Sequence, residues 1–294
     1  MTLAEVVLVV AWIGVTFYAL LGGADFGAGF WDLFAGGDRR GWAQRELIEH
    51  SIGPVWEANH VWLIFVLVVL WTGFPPVFAA VMSTMIIPLT LAAFGVIMRG
   101  AAFAFRKVVD AMWLKRVFGA SFAASSVLTP FFLGAVAGGV ATGRVPPGNA
   151  RGNLVTSWLN PTSLLGGTLA VGVCAYLAAV FLVRDAEREG HQRLVEQFRS
   201  RALGTGVALG AIALGGIFVL RADAPRLFEG LTTRALPLVV ASAVFGVVSL
   251  VLLVRRRFVA VRVTAALLLV PSMTWLFVIC QREHTSQAAD SPHT

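Results

Sequence analysis

The feature that most limits what this chain can become is a succession of long apolar runs separated by short stretches of charge, glycine or proline. Eight of them lie at roughly 4–34, 55–73, 76–106, 118–141, 161–183, 202–221, 235–254 and 258–280. A helix crosses the hydrocarbon core of a bilayer with about 20 residues, so each run is long enough to span. Of the 294 residues, 13% are charged and 57% hydrophobic, whereas a soluble domain carries about 25% charged residues to keep its surface wet. That excludes a water-soluble enzyme, a disordered tail and a secreted disulfide scaffold. It predicts an all-α, polytopic membrane protein with about eight transmembrane helices.

The net charge of +7 raises the question of a nucleic acid, but the basic residues punctuate the apolar runs and form no stripe on one surface. Counted at alternate helix ends, 17 of the 23 Lys and Arg fall on one side and 6 on the other. Loops rich in Lys and Arg stay on the cytoplasmic side, so eight spans give a consistent topology with both termini outside. The first run lacks the basic leader and small-residue cleavage site of a signal peptide, and is expected to be a retained helix. Leu20-Leu21-Gly22-Gly23 recurs as Leu164-Leu165-Gly166-Gly167, near half the chain length, which suggests two four-helix units over 1–145 and 146–281. Residues 282–294 form a polar tail. Cys174 and Cys280 sit inside apolar runs without metal or redox spacing and read as small buried hydrophobes.

Ionisable groups at membrane depth are costly and by default mark a function. They cluster in the first two spans as Asp25, Asp32, Glu57 and His60, while the interiors of the last five spans hold no acid. Asp25, Gly29 and Asp32 follow at i, i+4 and i+7, on one helix face. The glycines around Asp25 would let a second helix come close and take the carboxyl out of lipid and water. Asp25 is therefore expected to be a protonatable relay group, and Asp32, near the helix end, a solvated or capping carboxylate. In Gly53-Pro54-Val55-Trp56-Glu57-Ala58-Asn59-His60-Val61-Trp62, Pro54 suits the first turn of a helix. Glu57 would then sit in that turn, where the helix dipole favours an acid, with His60 three residues on. A helix-start acid beside an interfacial tryptophan belt is the plainer reading of the same residues. Arg99 and Arg106 are expected to snorkel to the headgroups, Pro75-Pro76 to make a tight outer turn, and Pro88 to kink the third span. No metal-type spacing, Ser/His/Asp set or phosphate-binding loop is present in the sequence.

Gly22, Asp25, Phe26, Gly27 and Gly29, followed by Ser51 to Leu63, Phe74-Pro75 and Arg99 to Arg106, resemble subunit II of the cytochrome bd-type quinol oxidases over about the first 110 residues. In that family two pseudo-equivalent subunits each contain two four-helix bundles and a ninth helix. The complex oxidises ubiquinol or menaquinol with oxygen to give water, in the bacterial cell membrane, and its b and d haems are carried by subunit I. The resemblance implies a non-haem subunit that supports subunit I and lies on a proton path from the cytoplasm. Glu57 and Asp25 would carry protons, and Trp56, Asn59, His60 and Trp62 would shape the face toward subunit I and its haems. Bound metal or haem is not expected in this chain. A structural quinone, and a small single-helix subunit replacing the ninth helix, stay open.

The sequence departs from the family pattern Trp-Asp-Gly-Asn-Glu/Gln-Val-Trp at Glu57, Ala58 and His60, has Ala104 where relatives often carry an acid, and shows eight spans where the family has nine. Two other functions remain compatible with the residues: a proton- or cation-coupled transporter or channel built on Asp25 and Glu57, and a scaffold paralogue with no redox role.

Overall fold

The first apolar run folds into a single helix, α1 (Leu3–Leu33), whose start is fixed by a reciprocal cap. Thr2 Oγ1 accepts from the Glu5 amide at 3.3 Å while the Glu5 carboxylate accepts from the Thr2 amide at 2.8 Å, which satisfies two of the donors a helix start leaves free. The computed structural model describes residues 2–36, 38–106, 109 and 111–289, and the side chains of these apart from 38–40, 52–54, 57, 106, 112, 272 and 275–289. After α1 come α2 (Asp38–Gly73), α3 (Pro75–Thr84), α4 (Ile86–Arg106), α5 (Met112–Ala141), α6 (Pro161–Arg188), α7 (Gln192–Asp223), α8 (Pro225–Thr232), α9 (Leu236–Val254) and α10 (Phe258–Ala289). The described residues contain no strand.

Six helices are long and apolar enough to cross a membrane: α1, α4, α5, α6, α7 and α9. The pair Ala58–Gly73 and Pro75–Thr84, bent by 117°, makes a seventh if it counts as one span, and α10 contributes a shorter apolar stretch, Phe258–Pro271. The protein is thus all-helical and polytopic. One expectation changes. The second span does not begin at Pro54: α2 runs unbroken from Asp38 to Gly73, because the segment rich in Arg, Glu and Gln before Pro54 is itself helix-forming and simply continues. Glu57 therefore lies well inside a helix, and the dipole of a first turn does not act on it.

The third span shows its irregularity just before Pro88, where a kink is expected. It is interrupted for one residue at Met85, between α3 and α4, with helical hydrogen bonds from Met85 N to the Val81 carbonyl and from Leu89 N to the Met85 carbonyl on either side. Proline lacks an N–H and its ring crowds the carbonyl four residues earlier; for Pro88 that residue is Thr84, where α3 stops. The sharp bend at Phe74, with Pro75 and Pro76 opening α3, agrees with the turn expected there. The tail assigned to 282–294 is helical in its backbone as far as Ala289, and its remaining residues lie outside those described.

Helices α1 and α6 occupy the middle of the molecule. Helix α1 packs on α2, α5 and α6, and α6 also meets α5, α7 and α10. In its most apolar stretch α6 is 56% buried, against 6% for α7 and 11% for α9, so α7 and α9 form the outer wall. Close crossings depend on missing side chains. A Cβ placed on Gly27 would stand 1.8 Å from the Cys174 carbonyl oxygen, and one on Gly134 would stand 2.5 Å from that of Gly166. Trp31 of α1 ties the first crossing by donating Nε1–H to the Ala175 carbonyl at 2.8 Å. Cys174 is buried, as expected, and the side chain of Cys280 is outside those described.

Candidate functional site: a buried ion pair among four helices

The stretch Gly22–Gly29 of α1 is buried along its whole length, because its glycines and alanines admit neighbours on every side. Gly22 lies under Asn59 of α2, Gly23 and Gly27 against α6, and Gly29 against Ser126 of α5 and the guanidinium of Arg99 on α4. Asp25, 0% exposed, stands at the meeting point of these helices.

Its partner is Arg99. Nη2 of Arg99 donates to Asp25 Oδ1 at 2.5 Å and to the Asp25 backbone oxygen at 2.7 Å, and Nη1 donates to Ser126 Oγ. Ser126 Oγ in turn donates to the Phe122 carbonyl at 2.5 Å. The guanidinium lies over the Phe122 ring, 4.2 Å from its centroid, with the Phe26 ring at 5.1 Å. Arg99 is 1% exposed, so the expected snorkelling is overturned. It stands seven residues from the end of α4, about 10 Å of helix, and a buried carboxylate is a nearer and stronger partner than the headgroups. An acid at membrane depth calls for a compensating group, but nothing in the sequence around Arg99 marks it as that group.

Asn59 completes the centre by donating Nδ2–H to Asp25 Oδ2 at 3.4 Å. At 1% exposure it faces inward, toward Asp25. Asn59 Oδ1 and Arg99 Nε are buried and form no hydrogen bond among the described residues. The other residues of the motif form an aromatic layer on α2. Trp56 stacks on Phe103 of α4 at 5.1 Å and lies 4.7 Å from the His60 ring. His60 Nδ1 is 2.8 Å from the Trp56 carbonyl oxygen. Trp62 stacks on Phe17 of α1 at 4.7 Å. All three are half-buried. The side chain of Glu57 lies outside the described residues.

Asp32 also differs from expectation. It is 8% exposed and pairs with Arg45 Nε at 3.0 Å, because α2 begins as a helix at Asp38 and folds back along the end of α1. Gln44 donates to the Trp31 carbonyl at 2.7 Å and Arg201 of α7 to that of Phe34 at 3.0 Å, so side chains satisfy the orphan carbonyls of that helix end. Among the described residues no group of three or more His, Cys, Asp or Glu is placed to hold a metal ion.

Residues 3–287 match the family described as cytochrome bd terminal oxidase subunit II. The cytochrome bd ubiquinol oxidase subunit 2 of Bacillus subtilis (strain 168) is 30% identical over 178 residues, which is 60% of this chain and 51% of that protein. The cytochrome bd-I ubiquinol oxidase subunit 2 of Escherichia coli (strain K12) is 28% identical over 211 residues, 69% of this chain and 53% of that one. The chain thus spans about half the length of the curated relatives it matches. A chain in the structure of the bd oxidase from Geobacillus thermodenitrificans has the same fold, with a TM-score of 0.70 and 22% identity over 95% of this chain and 84% of that one.

Proposed function

The chain belongs to the family of cytochrome bd terminal oxidase subunit II, and we propose that it is the membrane subunit that supports a haem-bearing partner and carries protons toward it while the complex oxidises quinol and reduces oxygen to water. In this reading α10 is the eighth crossing and both termini face outward, supported by the 17 to 6 division of basic residues. The protein resides in the bacterial cell membrane.

The observation that carries the proposal is the Asp25–Arg99–Asn59 centre. A buried ion pair adds little to stability, because desolvation cancels much of the Coulombic gain. Its place at membrane depth therefore favours a functional role. Among the described residues Asp25 Oδ1 accepts from Arg99 and Oδ2 accepts the longer contact from Asn59, which leaves Oδ2 the less engaged oxygen of the carboxyl. The unsatisfied Asn59 Oδ1 and Arg99 Nε fit a group that changes its bonds during turnover better than a passive tie. We assign Glu57 proton delivery toward the partner. Trp56, His60 and Trp62, each half-buried on α2, would shape the surface toward the partner and its haems.

Haem belongs to the partner in this reading. The described histidines are few: His60 is half-buried, with Nδ1 on the Trp56 carbonyl, and His50 and His191 are exposed. Two b haems and one d haem need more axial ligands than these.

The test uses the complex purified with its haem-bearing partner. An Asp25→Asn complex keeps its haem spectrum and loses quinol oxidation by about tenfold or more, as does a Glu57→Ala complex. Normal turnover in either variant would remove that residue from the proton path.

A further inference from the structure

The turn between α9 and α10 consists of Arg255, Arg256 and Arg257, all exposed. Arg256 is held in the left-handed region at φ 57° and pairs with Glu196 Oε1 at 2.8 Å. Glu196 is shared, because Arg199 Nη1 lies 3.2 Å from its other oxygen. Arg199 also closes the end of α9, donating Nε–H to the Leu253 carbonyl at 2.8 Å and Nη2–H to that of Val254 at 3.2 Å. Two guanidiniums thus share the Glu196 carboxylate, one on each oxygen. The neighbouring acids are engaged as well: Asp185 with Arg262 at 3.8 Å, Glu187 with Arg184 at 2.5 Å, and Glu189 beside the His191 ring at 3.6 Å. Among the described residues, neither Arg255 nor Arg257 has an ion-pair partner.

Aliphatic surface leads into this turn from both helices. On α9 the exposed valines Val244, Val247, Val251 and Val254 follow at helical spacing to the residue before Arg255, and on α10 exposed Val259 and Val263 continue from it. Uncompensated cations at the end of exposed aliphatic stripes match the two parts of one ligand, an anionic headgroup joined to acyl chains.

We propose that the α9–α10 turn is a binding site for an anionic phospholipid, with Arg255 and Arg257 on the headgroup phosphate and the valine stripes along the acyl chains. Two features favour lipid over a protein partner. The stripe is purely aliphatic, without the aromatic residues that enrich protein interfaces, and a three-residue turn between two apolar helices lies at headgroup level.

The full chain in its complex, solubilised in neutral detergent, is titrated with phosphatidylglycerol or phosphatidylcholine, and bound lipid is counted by native mass spectrometry. Phosphatidylglycerol binding weakens by about 30-fold in an Arg255→Gln/Arg257→Gln variant, while phosphatidylcholine binding does not change. An Arg255→Lys/Arg257→Lys variant, which keeps the charge, binds phosphatidylglycerol nearly as the natural chain does. Unchanged phosphatidylglycerol binding in the glutamine variant overturns the proposal. So does release of the partner subunit with lipid retained, which would make this face a protein interface, and so does displacement of the lipid by inorganic phosphate at equal concentration.

Discussion

The two halves of the molecule bury polar groups differently. In α1–α5 a full ion pair, Asp25 with Arg99, is sunk among apolar helices and bound by Asn59 and Ser126. In α6–α10 the described ion pairs lie at helix ends, such as Arg144 with Asp223 and Arg256 with Glu196. The deep polar contact there is a neutral one, the Tyr176 hydroxyl with Ser249 Oγ at 2.6 Å. A neutral pair can hold helices together at little desolvation cost, whereas a charged pair at the same depth must be compensated on every side. The first half keeps the expensive arrangement, and the proposed proton role rests on that contrast.

The contrast can be broken most strongly at Arg99. Arg99→Ala leaves the Asp25 carboxylate unpaired in the interior and is expected to cost about 3–5 kcal/mol, read as a large fall in the melting temperature of the purified chain. An Asp25→Ala/Arg99→Ala double variant should recover part of that loss, and a double variant no more stable than Arg99→Ala would show that the two side chains do not act as a pair. Next comes the crossing that joins the halves. Gly27→Ala places a methyl group against the Cys174 carbonyl, where its Cβ would be only 1.8 Å away, and overpacking of this kind costs about 1–3 kcal/mol; an unchanged melt would mean that α1 and α6 separate freely.

Smaller effects belong to the second half. Tyr176→Phe removes the hydroxyl contact with buried Ser249 and should cost about 1–2 kcal/mol, with quinol oxidase turnover retained in the assembled complex. Asp223→Ala removes an acceptor shared by Arg144 and by the Thr162 amide and hydroxyl, at 3.1 and 2.6 Å. Because that pair is partly solvated it should cost about 1 kcal/mol or less, with the loss shrinking further in high salt. A larger effect of Asp223→Ala than of Arg99→Ala on stability would reverse the comparison between the halves.

Much of this contrast was legible in the sequence. The acids of the apolar runs crowd the first two spans, and glycines surround Asp25. The partner of Asp25 was not legible, because Arg99 lies 74 residues away and occurs in the same pattern as a snorkelling arginine. Likewise Asn59 stands in a motif of aromatic residues, and only the crossing of α2 over Gly22 turns it inward. Pro54 alone does not mark the start of α2, because the helix-forming segment on its N-terminal side continues through it. Met85, the point of the break in the third run, has no breaker character of its own and owes its place to Pro88.

Composition and the spacing of apolar residues were sufficient for a polytopic helical protein, because burying backbone polar groups in lipid leaves a chain of this kind few alternatives to helices. Which carboxylate meets which cation depended on how the helices cross. Charge pairing in a medium of low dielectric is decided over a few ångströms, and those distances are set by packing between helices far apart in sequence.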